Sequence, residues 1–282
     1  ASAASADAEV QRRGGLAADF EAVLAAPGDT SEKLFELANK PAVRFAVGAG
    51  HVTVGQDAGA TEHSGGVVWE TAFFLARYLE QYVLDSLLAR RSGAEERPRV
   101  VELGAGCGLL GLALARLGCR VTLTEQPAAI RNLKANVAAH REASATDTTS
   151  GPAKVARLTW GDEADMAAVC GRGPFDLVVA SDVVFAVRFV EPLLRTIAAL
   201  LTVPRGEGAE TGEAECWLCL QRRDPDAHAE LLARAPSFFR VRELSFAGLE
   251  GFEAAEELEC VLLRLRPKKR KAECPAEEAE TE

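Results

Sequence analysis

The stretch V-V-E-L-G-A-G-C-G-L-L-G, from Val100 to Gly111, passes from an apolar run into closely spaced glycines and on into a second apolar run. Val100, Val101 and Leu103 read as a buried parallel strand. Leu109 to Leu117 reads as a helix, with apolar residues recurring at spacings near three and four. The glycines therefore fall between strand and helix, where a nucleotide-binding βα turn needs them. Glycine permits positive φ and removes the Cβ that would hold a ligand off the backbone, so amide N–H groups at the helix start can meet an electron-rich group.

Spacing alone leaves two cofactors open. Gly106, Gly108 and Gly111 satisfy G-x-G-x-x-G, and Glu125 follows at close to the distance of about 20 residues where a carboxylate accepts bonds from ribose hydroxyls. NAD passes this test. S-adenosylmethionine makes the same demand at its ribose but carries no pyrophosphate, and its amino acid end calls for backbone groups and a nearby carboxylate, which Glu102 could supply.

The chain has 282 residues, of which 48% are hydrophobic, enough for a large core in one or two domains. A formal net charge of -10 argues against a protein that grips nucleic acid through its overall field. No uninterrupted apolar stretch of about 18 residues is present, and the opening A-S-A-A-S-A-D-A-E-V lacks the apolar core of a secretory signal, so a soluble intracellular protein is expected. Seven cysteines without paired spacing point to reduced thiols. Cys216 and Cys219 form C-x-x-C around Trp217 and Leu218 in an apolar strand, which favours burial over redox or zinc chemistry. His51, His63, His140 and His228 share no ligand spacing, so no metal site is expected.

The rest of the chain alternates. Arg120 to Thr124 reads as a second strand ending at Glu125, and Pro127 to His140 as a helix with Pro near its first turn. Glu142 to Pro152 reads as a mobile loop. Lys154 to Leu158 and Phe175 to Ala180 read as strands, Arg188 to Val203 as a helix, and Pro204 to Glu215 as a flexible insertion. Cys216 to Gln221, Phe238 to Leu244 and Leu258 to Arg266 supply three later strands. Earlier, Phe45 to Val47 and His51 to Val54 flank Gly48-Ala49-Gly50 as a hairpin, and the segment around Trp69, with Phe73, Phe74 and Tyr78, has helical spacing suited to packing on a sheet. Alternation of this kind implies a doubly wound α/β sheet that binds its ligand at the carboxyl ends of the strands. The glycine turn, Glu125, Trp160 and Ser181-Asp182 all fall at such ends.

In this arrangement the chain resembles the seven-stranded, class I (Rossmann-like) S-adenosylmethionine-dependent methyltransferases, and more narrowly the methyltransferase-21-like family of protein-lysine methyltransferases. The likeness covers roughly Arg44 to Arg266. It rests on Gly66-Val67-Val68-Trp69-Glu70, Val101 to Gly108, Thr124-Glu125, Leu158 to Gly161 and Ser181 to Phe185, taken in order. The resemblance implies that Trp69, Gly104, Ala105, Gly106, Glu125, Trp160 and Ser181 contact S-adenosylmethionine and that Glu102 orients its methionine portion. It departs from the family pattern at Glu125, commonly Asp, and at Phe185, usually Tyr.

The organisation expected is a partly helical extension over 1–39, a methyltransferase domain with the hairpin over 40–266, and a charged disordered tail over 267–282. The extension reads as a solvated terminal appendage. The reaction the resemblance implies is methyl transfer to a protein lysine amine, with Asp182 capturing and orienting the amine and Phe185 lining its channel. A chaperone, translation factor or ATPase is the implied kind of substrate. The alternatives are a methyltransferase for a small molecule or nucleic acid, and a noncatalytic cofactor-binding module, the latter prompted by Phe185. The run Arg266 to Lys271 reads equally as a nuclear import signal or a solvated tail, so cytoplasm and nucleus are both expected.

Overall fold

The computed structural model describes residues 17–59, 64–89, 97–204 and 213–268. The chain begins with a short strand β1 (Ala18–Asp19) and two helices, α1 (Phe20–Ala25) and α2 (Thr30–Ala38), capped by the Asp19 and Asp29 carboxylates. The hairpin β2 (Ala42–Val47) and β3 (Gly50–Gly55) follows, antiparallel as expected, with β1 alongside β2 in parallel. From residue 17 onward the expected solvated appendage is packed onto the domain. Phe20 is buried and stacks on Phe73 at 4.5 Å, because α1 alone is too short to hold its apolar face together in water.

Helices α3 (Glu70–Tyr82) and α4 (Leu84–Ala89) lead into the repeating units. These are β4 (Arg99–Leu103), α5 (Leu109–Arg116), β5 (Arg120–Glu125), α6 (Ile130–Ala143), β6 (Ala153–Arg157), α7 (Glu163–Cys170), β7 (Leu177–Ser181), α8 (Val187–Leu201) and β8 (Glu215–Leu220). The chain then forms α9 (Pro225–Phe238), β9 (Phe239–Leu244), α10 (Glu253–Glu257) and β10 (Val261–Pro267). Seven strands make one sheet in the order β6-β5-β4-β7-β8-β10-β9, in which β10 runs antiparallel to both neighbours. The order reverses between β4 and β7, which pair in parallel from Val100↔Leu177 to Leu103↔Ala180. An open sheet forms its ligand crevice at such a reversal.

The inner strands β4, β5, β7, β8 and β10 are buried on both faces, which is why they read as largely apolar runs, while the edge strands β6 and β9 keep exposed, charged positions. One core cluster gathers Phe73, Phe74, Leu110 and Trp217, and the other gathers Val178, Leu193, Leu218 and Leu263. Cys216 and Cys219 are fully buried in β8 and belong to opposite clusters, since residues three apart in a strand point to opposite faces. They cannot act as a pair, and burial pushes both thiols well above the ordinary range.

Four expectations need correction. The helix placed at Pro127 starts at Ile130, because Pro127 to Ala129 form a turn closed by Ala129 N–H donating to the Gln126 carbonyl at 3.2 Å. The loop expected to be mobile is a bonded turn. Asp147 accepts from Thr149 and Ser150, and Arg97 donates to the Gly118, Thr148 and Thr149 carbonyls. Glu215, given to the flexible insertion, opens β8, while 205–212 lie outside the described residues. Pro267 pairs with Phe239 in the sheet, and the remaining tail from Lys269 to Glu282 lies outside the described residues. Among the described residues no helix is long and apolar enough to cross a membrane, and no cluster of His, Cys, Asp or Glu could hold a metal ion.

Candidate active site

A cleft opens at the carboxyl ends of β4, β5 and β7, enclosing about 760 Å³ with the solvent at its mouth included. Trp69, Gly104, Gly106, Glu125, Trp160, Ser181, Asp182 and Phe185 all line it, so residues spread from 69 to 185 meet in one place.

The floor is the glycine turn. Gly104 has φ +62, and a Cβ there would stand 3.1 Å from both Trp160 Cζ2 and Val183 Cγ1, so backbone conformation and close packing both require glycine. Glu125, at the end of β5, accepts from Gly106 N–H at 2.9 Å and from Gln126 N–H at 2.7 Å. It thus shapes the turn while facing the cleft. Trp69 donates from Nε1 to the Ser64 carbonyl at 3.1 Å, and Trp160 meets Phe189 edge to face at 6.2 Å. Phe185 is 43% exposed and leans on Phe189 with ring centres 5.1 Å apart, making an apolar rim.

Glu102 and Ala105 do not line the cleft. Glu102 is buried beneath the turn and accepts from Gly111 N–H at 3.0 Å, satisfying one of the donors a helix start leaves over. Burial pushes this carboxyl well above its ordinary range, with the Gly111 bond opposing. Its expected part in orienting a methionine group therefore reaches the cleft only through the turn. Ala105 donates its N–H to the Thr124 carbonyl at 2.9 Å, tying the turn to β5.

Asp182 leaves β7 with φ +54, a left-handed conformation that Asp tolerates better than most residues. It caps no helix. Its side chain is 4% exposed and accepts from Arg223 Nε at 2.6 Å. Burial raises its pKa to about 6, with Arg223 pulling the other way. Arg223 also donates from Nη2 to Glu70 at 2.6 Å and lies over the Trp69 ring at 4.3 Å. Neither Arg223 nor Glu70 was given a role by the sequence. The available signal was position, since Arg223 follows β8 in Q-R-R-D-P at the same carboxyl edge as Asp182.

Behind the cleft, Asn136 is fully buried. It accepts from Gly55 N–H at 2.9 Å and donates to the Gly55 and Cys107 carbonyls, each at 2.9 Å, joining the hairpin to the glycine turn. Asn132 adds a bond to the Gly55 carbonyl at 3.1 Å.

Residues 50–225 match the sequence profile of a family described as lysine methyltransferase, a span that takes in every residue of the cleft together with Glu70 and Arg223. The chain belongs to the lysine methyltransferase family. Protein N-lysine methyltransferase METTL21A of Mus musculus is 36% identical over 134 residues, covering 48% of this chain and 54% of that protein. EEF1A lysine methyltransferase 3 of Xenopus tropicalis is 31% identical over 135 residues, covering 47% and 51%. The chain thus spans about half the length of the curated relatives it matches. A solved S-adenosylmethionine-dependent methyltransferase from Agrobacterium tumefaciens superposes with a TM-score of 0.47 at 13% identity over 81% of this chain and 71% of that one, too distant to bear on function.

For a member of this family the cofactor left open by glycine spacing is S-adenosylmethionine, and the cleft fits it. The wall presents bare backbone at Gly104 and Gly106, a carboxylate at the end of β5 for ribose hydroxyls, and two indoles and Leu158 as apolar surface for a purine. Trp69, Gly104, Gly106, Glu125, Trp160 and Ser181 are the lining residues that could hold it.

Proposed function

We propose that the protein is an S-adenosylmethionine-dependent protein-lysine N-methyltransferase. The observation that carries this reading is Asp182, a buried carboxylate set between the cofactor wall and the aromatic rim of the same cleft. When bound, the cofactor supplies an electrophilic methyl group for in-line displacement, and the chain supplies placement. Asp182 attracts the lysine ammonium and fixes its approach, while Phe185, Val183 and Phe189 give the aliphatic stem an apolar wall.

Amine and charge make opposite demands. A free lysine has pKa near 10.4, so baring its lone pair at pH 7 costs about 4 to 5 kcal/mol. The apolar rim lowers that cost by disfavouring the ammonium, whereas Asp182 raises it; the carboxylate therefore serves capture, and the proton leaves to solvent before the nitrogen attacks. Phe185 has no hydroxyl to donate, so its contribution is ring surface and attraction of a cation to its face.

Purified protein incubated with labelled cofactor and a nuclease-treated cell lysate is expected to label protein, with methylated lysine recovered after acid hydrolysis. Label in nucleic acid or small molecules instead would overturn the reading, and cofactor binding without any transfer would favour a noncatalytic module. The lysine-methyltransferase names of the relatives support a protein acceptor. Residence in cytoplasm or nucleus is part of the same proposal, checked by whether removal of 267–282 changes the distribution of the protein in cells.

A further inference from the structure

Two carboxyl groups and a guanidinium meet where α3 begins and where β7 and β8 end. Arg223 Nη2 lies 2.6 Å from Glu70 Oε1 and 2.6 Å from Asp182 Oδ2, so these two carboxylate oxygens are no further apart than twice that distance. The Glu70 side chain is 7% exposed and the Asp182 side chain 4%. Asp182 also accepts from the Gln221 backbone N–H. The other titratable groups that face the cluster are the Cys219 and Cys260 thiols, which burial keeps protonated, Cys260 being pushed up to about 12. Counted together, two carboxylates share one guanidinium.

We propose that Arg223 is a positioning residue that keeps Glu70 and Asp182 ionised side by side, leaving the cluster one positive charge short, and that the ammonium of the incoming lysine makes good this shortfall. The proposal rests on the reading of the cleft as a lysine methyl-transfer site. Two carboxylates at this separation in a buried site do not both ionise without a counter-charge, because each raises the proton affinity of the other. A guanidinium suits the task. It is permanently charged, its fork reaches two acceptors at once, and its flat face rests on Trp69 at 4.3 Å. Asp182 lines the cleft and Glu70 does not, so the unmatched charge is presented to the cleft through Asp182.

The test uses the full chain and two readouts. Carboxylate NMR titration, with Asp182→Asn to assign the signal, is expected to show the Glu70–Asp182 pair taking its first proton at least one pH unit higher in Arg223→Gln, with most of the change reversed in Arg223→Lys. In steady-state transfer at pH 7, Glu70→Gln, which cancels the net negative charge, is expected to raise KM for the acceptor protein at least tenfold, and Arg223→Gln, which leaves that charge in place once the pair has taken a proton, to change it less. The ratio of S-adenosylmethionine to S-adenosylhomocysteine affinity, which reports whether the sulfonium charge fills the shortfall instead, is expected to stay constant. Should Arg223→Gln not fold, Glu70→Gln separates charge from scaffold: the Asp182 titration moves to lower pH while acceptor KM rises, a combination that a purely structural part for Glu70 does not produce. An unmoved titration, or a fall in the cofactor affinity ratio with acceptor KM unchanged, would overturn the proposal. A parent protein that binds cofactor and methylates no lysine would defeat the functional reading and the amine's place in this proposal, whereas the titration would still decide whether Arg223 keeps the pair ionised.

Discussion

On the cofactor wall, formed by the ends of β4 and β5, the polar contacts join near neighbours: Glu125 holds Gly106 N–H across 19 positions, and Glu102 holds Gly111 N–H across nine. On the side that carries Asp182, Arg223 reaches Asp182 across 41 positions and Glu70 across 153. The first wall is one supersecondary unit whose geometry follows from glycines at fixed spacing. The second exists only after α3, β7 and β8 have packed, so no short stretch of sequence contains it. One wall of the cleft can therefore be local in sequence while the wall that carries Asp182 is assembled by tertiary structure.

Substitutions should divide along that line. The largest effect is expected at Asp182→Asn, which keeps the shape and tolerates the left-handed backbone: transfer to lysine falls by about 100-fold or more, while cofactor affinity stays within about threefold. Equal losses in both would erase the distinction between the walls. The same group sets the pH response. Protonation of Asp182 below about pH 6 should cut kcat/KM for the acceptor, and Asp182→Asn should lack that acid limb. Because its folded value of about 6 exceeds the ordinary 3.8, the native state binds the extra proton between those values, so this group's contribution to stability falls as pH rises through that window.

Gly104→Ala should strike the cofactor wall. A left-handed backbone costs a non-glycine residue about 1–2 kcal/mol, and Trp160 and Val183 must also move, so cofactor affinity is expected to fall about tenfold or more in a calorimetric titration. Asn136→Ala should leave both walls chemically intact but lower the urea unfolding free energy by about 2–3 kcal/mol, since it strands buried backbone groups at Gly55 and Cys107. The smallest change is expected at Phe185→Tyr, where the ring is 43% exposed: stability within about 0.5 kcal/mol and cofactor affinity unaltered, with any gain confined to transfer.

How far these features were legible follows the same division. The inner strands from Arg99–Leu103 to Val261–Pro267 are legible because burial on both faces makes each largely apolar, the edge strands because their apolar and charged residues alternate, and the hairpin because glycines interrupt an alternating pattern. Helices Glu163–Cys170 and Pro225–Phe238 were passed over although each carries a start signal, Asp162 as a cap in one and Asp224-Pro225 in the other. Alanines fill much of both, so neither shows a clear stripe of large apolar residues. Glu102 was assigned to the ligand because a carboxylate beside a glycine turn suits either purpose, and only its burial against Gly111 separates them. Arg223 was missed because a charged residue after a strand has the same local pattern whether it faces solvent or two buried acids.

The placement of the indoles has a practical consequence. Of the three tryptophans in the chain, Trp69 and Trp160 stand in the cleft wall, while Trp217 is buried among Tyr78, Phe246 and the β8 core. Ligand entry should therefore perturb two emitters and leave the third as a constant background, making intrinsic fluorescence an unlabelled gauge of occupancy. Replacing Trp69 or Trp160 singly with Phe would assign the quenching to one indole or the other.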